Sequence, residues 1–441
     1  MKKILVLGAG LVSRPHVQYL LNQPEFEVTV ASRTFSKAEK LVNDNAKGKA
    51  VQLNVKDDEQ LKRLISEHDL SISLLPYIYH TKIARYCIEF GKDMVTTSYV
   101  SDEMKSLDEQ AKNAGVILLN EIGVDPGIDH MSAMRVIHKV QENGGRIISF
   151  CSYCGGLPAP EANTNPWGYK FSWSPRGVIM AGKNNAKYLM NKELIEVPGT
   201  ELFDHHWLIQ VPGFGELETY PNRNSIPYRE IYGIEDTDTI FRGTLRYPGW
   251  SFTMKKIVEL CLLDDEKLYN LNGITYKEFM HKFVKNPKYN KLEKDLALQL
   301  NIAEHTDSLY RMKWLGLFSN EQIGLNEGTA MDVLCKIFDE KLNYDEGERD
   351  ILILHHEFIA EYGEKRQKIT STMIDYGIPY GDTSMSRTVG LPSAIGARMI
   401  IQGRIKEIGV HIPVKPTIYK PILEELEKNN IICKEHFNEI E

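Results

Sequence analysis

The stretch KILVLGAGLVSRPHVQYLL, Lys3 to Leu21, indicates the fold of the first part of the chain. A short apolar run ends in the turn GAGLVS, Gly8 to Ser13, and a helical pattern follows. The order strand, glycine turn, helix is typical of a dinucleotide-binding turn, where Gly8 permits the tight bend and Gly10 leaves room for a pyrophosphate. Ser13 stands where that pattern has Gly or Ala. A strand–helix turn that binds no ligand could have the same sequence pattern. The segments that follow are therefore needed to distinguish the two interpretations.

Five further apolar segments follow the first one, and amphipathic helical patterns separate them. They are Glu27–Ser32, Lys49–Val55, Leu70–Pro76, Asp93–Tyr99 and Val116–Glu121. Short apolar strands that alternate with helices indicate a parallel sheet covered on both faces. The sequence therefore predicts the α/β class, with a Rossmann-type doubly wound parallel sheet in the first third of the chain.

The end of the second predicted strand bears on which dinucleotide would bind. An NAD site usually has Asp or Glu there for the ribose 2′-hydroxyl. This chain has Ser32, Arg33 and Thr34 instead. A guanidinium between two hydroxyls suits a 2′-phosphate, so NADP is the predicted cofactor. A solvated arginine in a loop is the alternative.

The amino-acid composition argues against several classes of protein. The 441 residues are 42% hydrophobic and 26% charged, with a net charge of −7, so nucleic acid and anionic membrane surfaces are not expected partners. We find no apolar run long enough for a membrane helix. Six cysteines are too few for a disulfide framework in so long a chain, and they favour reduced thiols and a cytoplasmic protein. Cys151 and Cys154 form a lone CxxC, and no metal site is expected.

The remainder of the chain predicts a second domain of α+β type. Segments rich in aromatic residues, Gly and Pro indicate an antiparallel sheet with long connections after residue 145. Helical periodicity dominates from about residue 260 to 341 and indicates a helical insertion. Strand patterns return at residues 350–377, and SMSRTVGLPSAIGARMIIQGRI forms a last amphipathic helix.

Ligands of open α/β sheets bind beyond the carboxyl ends of the strands, and several polar residues are predicted to lie there. Ser98 and Tyr99 end the fifth strand, and Asp125 lies in the irregular stretch LLNEIGVDPGIDH, Leu118 to His130. Asp125 could instead serve only as a turn residue, and Asp129 is expected to open the next helix. Arg223 and Arg246 lie among aromatic residues in the second domain and would suit carboxylate groups, although either could be a surface charge.

Taken together, several motifs of the chain resemble the saccharopine reductase family, the NADP-dependent, L-glutamate-forming saccharopine dehydrogenases. They are VLGAGLVSRPHVQYL, ISLLPYIYH, VTTSYVS, LNEIGVDPGIDH, SYCGGLPAPEANTNPWGYKFSWSPRG, GTLRYPGW and TVGLPSAIGARMI. They occur in order over most of the chain. The resemblance implies an NADP-binding domain at residues 1–128, completed by residues 386–441. It also implies a substrate-binding and dimerisation domain at 129–385, which carries the insertion at about 260–341.

The resemblance also implies site residues and a reaction. Cofactor contacts would come from Gly8, Gly10, Leu11, Val12, Ser32, Arg33, Thr34, Asn54, Val55, Leu75 and Thr97. Saccharopine would be bound by Ser98, Tyr99, Asp125, Arg223 and Arg246. NADPH would reduce the imine that forms between L-glutamate and 2-aminoadipate 6-semialdehyde, in the aminoadipate pathway of lysine biosynthesis. Asp125 is the predicted acid/base group, with Tyr99 assisting.

Two other functions remain open on the sequence alone. One is another NADP-dependent imine reductase, such as carboxynorspermidine dehydrogenase, which joins a diamine to an aldehyde. Two candidate carboxylate-binding arginines argue against a diamine. The other is a non-catalytic NADP-binding protein, against which the presence of Asp125, Arg223 and Arg246 argues.

Overall fold

The structure is a computed structural model, and it describes residues 1–440. The strands are β1 (Lys2–Leu7), β2 (Phe26–Ser32), β3 (Gly48–Gln52), β4 (Leu70–Ser73), β5 (Asp93–Thr96), β6 (Ile117–Leu119), β7 (Arg146–Pro158), β8 (Ala186–Met190), β9 (Glu193–Val197), β10 (Trp207–Val211), β11 (Gly215–Pro221), β12 (Thr239–Arg246), β13 (Tyr269–Asn270), β14 (Glu327–Gly328), β15 (Asp350–Tyr362), β16 (Lys365–Tyr376), β17 (Gly409–His411) and β18 (Lys434–Ile440).

The α-helices cover both halves of the chain. They are α1 (Ser13–Leu21), α2 (Phe35–Val42), α3 (Asp58–Ser66), α4 (His80–Glu89), α5 (Asp102–Lys105), α6 (Asp108–Ala114), α7 (Ile128–Glu142), α8 (Pro175–Ala181), α9 (Tyr228–Ile231), α10 (Trp250–Glu259), α11 (Tyr276–His281), α12 (Leu292–Gln299), α13 (Asp307–Leu315), α14 (Ala330–Lys341), α15 (Ser384–Ile401) and α16 (Pro416–Lys428). Short 3₁₀ turns lie at Tyr77–Tyr79, Pro160–Ala162 and Gly199–Asp204.

A seven-stranded parallel sheet confirms the predicted Rossmann-type fold. Its order is β17-β6-β5-β4-β1-β2-β3, and every neighbouring pair is parallel. Strand β4 is buried throughout, and β1 is buried from Ile4 to Leu7, in agreement with the apolar residues of both segments. The sequence did not predict the seventh strand, β17, which pairs with β6 through three residues only.

The chain forms two compact units, residues 1–147 with 360–441, and residues 148–359. The predicted boundaries at 128/129 and 385/386 differ from these, because α7 and β16 pack with the first unit. On α7, Arg135 forms ion pairs with Glu427 and Glu435 at 2.8 and 2.6 Å. Strand β16 pairs antiparallel with β18 over residues 366–372. These contacts join segments that are distant in sequence and anchor both in the first unit.

The second unit contains a mixed sheet instead of the antiparallel sheet that the sequence predicted. Strands β10, β11 and β12 are successively antiparallel, but β12 lies parallel to β7. A parallel neighbour requires a long crossover, and the chain between β7 and β12 supplies it with α8, β8 to β11 and α9. Between residues 260 and 341 the chain forms α11 to α14 and the small pair β13–β14.

Candidate active site

The glycine turn after β1 has the geometry that a dinucleotide requires. Gly8 has a φ of +119°, and a Cβ there would lie 3.0 Å from the carbonyl oxygen of Leu74. At Gly10 a Cβ would meet nothing within 4 Å, so the backbone faces open space. The buried Ser13 hydroxyl accepts a hydrogen bond from the Gly10 amide at 3.0 Å. Ser13 is therefore compatible with the tight turn, and a pyrophosphate fits beside Gly10 at the start of α1.

The other predicted cofactor residues lie in loops around the same sheet edge. Leu11 is exposed, Val12 is the residue just before α1, and Ser32, Arg33 and Thr34 follow β2 directly. The Arg33 side chain is exposed, and the Thr34 amide donates to the Ser32 hydroxyl at 3.3 Å. Residues Asn54 and Val55 follow β3, and Leu75 and Thr97 follow β4 and β5. The parallel sheet thus places this whole set at the carboxyl ends of its strands.

Tyr99 and Asp125 are in direct contact. The Tyr99 hydroxyl donates a hydrogen bond to Asp125 Oδ1 at 3.1 Å, and both residues are half-buried. Asp125 precedes Pro126 through a cis peptide bond, in a bend where a Cβ on Gly127 would overlap the backbone of Gly123. The bend therefore requires glycine, and it holds the Asp125 carboxylate next to the loop that follows β5.

The other titratable groups of this stretch are buried and hydrogen-bonded to the loop. Glu121 Oε1 accepts from the Val100 amide at 2.9 Å, and its Oε2 lies 2.8 Å from His130 Nε2. Asp129 Oδ1 accepts from the amides of Gly127 and His130 at 2.5 and 2.8 Å, as expected for an acidic residue in the first helical turn. The Glu121–His130 pair was not predicted from sequence. It connects the loop after β5 to the start of α7.

Ser98 belongs to a buried polar network around His80. His80 Nε2 lies 2.8 Å from Ser98 Oγ and 3.3 Å from Thr96 Oγ1, and Nδ1 lies 2.9 Å from Ser73 Oγ. Burial lowers the pKa of His80 to about 4, so the imidazole is neutral near pH 7. The sequence places His80 shortly after β4, but it does not reveal this network, because the network depends on β4 and β5 being neighbours.

In the second unit, Arg246 is a buried cation in an aromatic environment. Its guanidinium lies 4.8, 5.3 and 5.9 Å from the ring centroids of Tyr169, Trp250 and Tyr220. Nη1 donates to the Leu245 carbonyl at 2.7 Å, and Nε has no partner among residues 1–440. Glu218, opposite Arg246 in the strand ladder, accepts instead from the Gly249 and Ser251 amides. Within the described chain no carboxylate pairs with Arg246, so its environment favours an anionic ligand.

Arg223 lies far from Arg246 along the same pair of strands. It is exposed in the turn after β11, with a φ of 57°, and the ladder continues there with the Asn222 amide donating to the Arg242 carbonyl. The strand register separates the Cα atoms of Arg223 and Arg246 by about 16 Å, at about 3.3 Å per residue. This separation favours contacts of the two arginines with different groups of an extended ligand.

None of the six cysteines forms a disulfide, and Cys151 and Cys154 are buried on β7. In the part of the chain that the structure describes, no cluster of three His, Cys, Asp or Glu side chains could hold a metal ion. None of the helices in residues 1–440 is both long and apolar enough to cross a membrane.

Comparisons with known proteins place the chain in a family. A profile described as the saccharopine dehydrogenase NADP binding domain matches residues 4–119, and one described as the saccharopine dehydrogenase C-terminal domain matches residues 123–432. The chain belongs to the saccharopine dehydrogenase family. The profiles meet at the end of β6, directly before the loop that carries Asp125.

Relatives of the saccharopine dehydrogenase family match along nearly the whole chain. The enzyme of Schizosaccharomyces pombe named saccharopine dehydrogenase [NADP(+), L-glutamate-forming] is 42% identical and covers 99% of both chains. The Saccharomyces cerevisiae enzyme of the same name is 37% identical over 98% of this chain and 99% of that protein. The solved apo structure of the histidine-tagged S. cerevisiae saccharopine dehydrogenase (L-Glu forming) matches with a TM-score of 0.91 and 36% identity, over 99% of this chain and 100% of that one.

Proposed function

We propose that this chain joins L-glutamate to 2-aminoadipate 6-semialdehyde with NADPH and forms saccharopine, reversibly, in the aminoadipate pathway of lysine biosynthesis. The observation that carries the proposal is the buried guanidinium of Arg246, which has no carboxylate partner in residues 1–440. A product with three carboxylates supplies the missing anion. A diamine substrate would place a second cation there instead, at a high electrostatic cost.

The residues of the first unit fit NADP. Gly8 and Gly10 would hold the pyrophosphate at the start of α1, with Leu11 and Val12 beside it, and the exposed Arg33 with Ser32 and Thr34 would bind the 2′-phosphate. Asn54, Val55, Leu75 and Thr97 complete the proposed contacts at the carboxyl ends of β3, β4 and β5. The bound cofactor supplies the hydride that reduces the C=N bond.

The substrate contacts divide between positions that bind carboxylates and positions that bind polar groups. Arg246 and Arg223 lie at separate positions along β11 and β12, so they would bind different carboxylates of an extended product. Ser98 and Tyr99 lie at the carboxyl end of β5 and would bind polar groups near the reacting carbon. Fixing the reacting groups in this way contributes to the rate by removing their freedom of orientation.

Asp125 and Tyr99 would transfer the protons. The glutamate amine forms a C–N bond to the aldehyde carbon, and the carbonyl oxygen takes up a proton. Loss of water then needs a second proton at that oxygen while the nitrogen gives one up. The Asp125 carboxylate can accept the proton from nitrogen, and the Tyr99 hydroxyl, 3.1 Å from Asp125 Oδ1, can donate to oxygen and be reprotonated through Asp125.

Three further properties are proposed from the family resemblance. We assign NADP binding to the first unit, and substrate binding and homodimer formation to the second. The second unit exposes Leu194 and Leu208 on its strands β9 and β10, as a pairing surface requires. We also propose a cytoplasmic location, which the absence of a disulfide among the six cysteines supports. Light scattering on purified protein would show twice the chain mass if the homodimer is correct.

The assay uses purified protein, NADPH, the semialdehyde and one of two amines. We expect NADPH oxidation with L-glutamate and none with a diamine. Turnover with the diamine alone would indicate the carboxynorspermidine dehydrogenase type of activity. NADPH binding without turnover for either amine would indicate a non-catalytic protein.

A further inference from the structure

His80 is a buried histidine with hydrogen-bond partners at both ring nitrogens. Nδ1 lies 2.9 Å from Ser73 Oγ, and Nε2 lies 2.8 Å from Ser98 Oγ. Ser73 ends β4, and Ser98 follows β5, which is the neighbouring strand. The imidazole therefore connects the carboxyl ends of two adjacent strands, at the edge of the sheet where substrate is proposed to bind.

The network leaves the Ser98 hydroxyl little freedom. A serine hydroxyl on a loop can rotate among three staggered positions, and a fixed partner selects one of them. His80 is itself fixed, because it is 4% exposed, begins helix α4 and is hydrogen-bonded to Ser73. Thr96 Oγ1 accepts from the Ser98 amide at 3.4 Å and lies 3.3 Å from His80 Nε2, so the Ser98 backbone is connected to the same ring.

We propose that His80 is a positioning residue, which fixes the Ser98 hydroxyl for contact with the amino-acid substrate. This inference rests on the proposed function, because it assumes that Ser98 contacts substrate. His80 does not itself transfer a proton: burial lowers its pKa to about 4, and the ring stays neutral while the enzyme works near pH 7. Its effect on the reaction passes entirely through Ser98.

Two substitutions of His80 test the hydrogen bonds of its two ring nitrogens separately. In His80→Asn the amide can replace Nδ1 and keep the bond to Ser73, while the contact with Ser98 is lost. In His80→Gln the amide reaches the position of Nε2 and can keep the contact with Ser98. We expect His80→Asn to lower kcat/KM for L-glutamate about fivefold, as typical of one lost hydrogen bond, with KM for NADPH unchanged. His80→Gln should restore most of the loss.

A double-mutant cycle with Ser98→Ala tests whether His80 affects kcat/KM through Ser98. If His80 acts through Ser98, His80→Asn should not change kcat/KM further in the Ser98→Ala protein. His68 is the matched control. It is a buried histidine of the same unit, hydrogen-bonded to Thr29 Oγ1 at 2.8 Å and to the Leu64 carbonyl, just before β4. His68→Asn should lower the melting temperature and leave KM for L-glutamate unchanged.

The outcomes separate this inference from the proposed function. The positioning role would be refuted if His80→Asn lowered kcat/KM equally in the wild type and in the Ser98→Ala protein. It would also be refuted if His68→Asn changed KM for L-glutamate as much as His80→Asn does. Neither result would refute the proposed activity. An active wild type in which His80→Asn changes only the melting temperature would likewise refute only the positioning role. A wild type that shows no turnover with L-glutamate and the semialdehyde refutes the proposed function itself.

Discussion

Arg33 is the residue on which the cofactor preference depends. Its exposed guanidinium follows β2, where an NAD site would carry a carboxylate. Arg33→Ala should weaken NADPH binding by about 10- to 100-fold, as expected for a charge-assisted hydrogen bond, and weaken NADH binding little. Titration calorimetry with both cofactors measures the ratio. The control is Arg14→Ala, because Arg14 is exposed but paired with Asp382 at 2.6 Å; equal losses of both cofactors in Arg33→Ala would refute the assignment.

Asp125 differs from the other carboxylates of its loop because only its side chain remains half-exposed. Asp125→Asn keeps an oxygen for the Tyr99 hydroxyl but removes the base, so kcat should fall by about 10²- to 10⁴-fold. Asp129→Asn is the matched control: it loses a carboxylate that accepts from the Gly127 and His130 amides, and should lower stability while the folded enzyme keeps its turnover. An unchanged kcat in Asp125→Asn would return Asp125 to a turn role.

Residue patterns predict some of the candidate residues at this edge of the sheet and do not predict others. Gly8, Gly10, Tyr99 and Asp125 could be read from the sequence because each follows a strand that is itself recognisable. The Glu121–His130 pair and the His80 network could not be read, because each depends on which strands and helices become neighbours. The sequence also did not indicate that Arg223 and Arg246 are several strand positions apart, since that follows from the register of β11 with β12.

At the scale of elements, helix α15 packs against α1 through a glycine. A Cβ on Gly390 would lie 2.9 Å from the Val12 carbonyl oxygen and 3.3 Å from His16 Cβ, whereas a Cβ on Gly396 would meet nothing closer than Leu119 Cδ2 at 3.4 Å. Gly390→Ala should therefore lower the free energy of unfolding by about 1–3 kcal/mol. Gly396→Ala in the same helix should raise it by up to about 1 kcal/mol. Urea unfolding compares the two, and equal effects would contradict this packing.

The same helix pair makes stability depend on pH. His16 Nδ1 donates to the Gly390 carbonyl at 3.1 Å, and burial lowers the pKa of His16 to about 4. Between pH 6.5 and 4 the unfolded chain therefore binds a proton that the folded chain does not. As the pH is lowered through this range, the free energy of unfolding decreases by up to about 1.4 kcal/mol per pH unit for this residue.

Urea unfolding at several pH values tests this dependence. His16→Asn, which keeps a donor near Gly390, should show a shallower decline across that window than the wild type. If the free energy of unfolding decreased equally in both proteins as the pH is lowered, His16 would not contribute to the pH dependence. The buried His80, whose pKa is also lowered to about 4, adds to the decline in both proteins.

For the whole molecule, local sequence patterns indicate the structural class of both parts of the chain. Strands β1 to β6 were predicted because short segments rich in apolar residues alternate with helical patterns, and the helical character of residues 260–341 follows from local periodicity. The boundaries at 147/148 and 359/360 depend on long-range contacts of α7 and β16, which leave no local signal. The parallel pairing of β12 with β7 was missed for the same reason.

The proposed reaction interconverts saccharopine with L-glutamate and the semialdehyde, with NADP as the cofactor. The most direct measurement is saccharopine oxidation by the purified chain, with NADPH followed by absorbance and L-glutamate quantified in the same sample. We expect NADPH and L-glutamate in equal amounts with NADP, and much slower turnover with NAD. Absence of NADPH formation, or NADPH formation without an equal amount of L-glutamate, would contradict it.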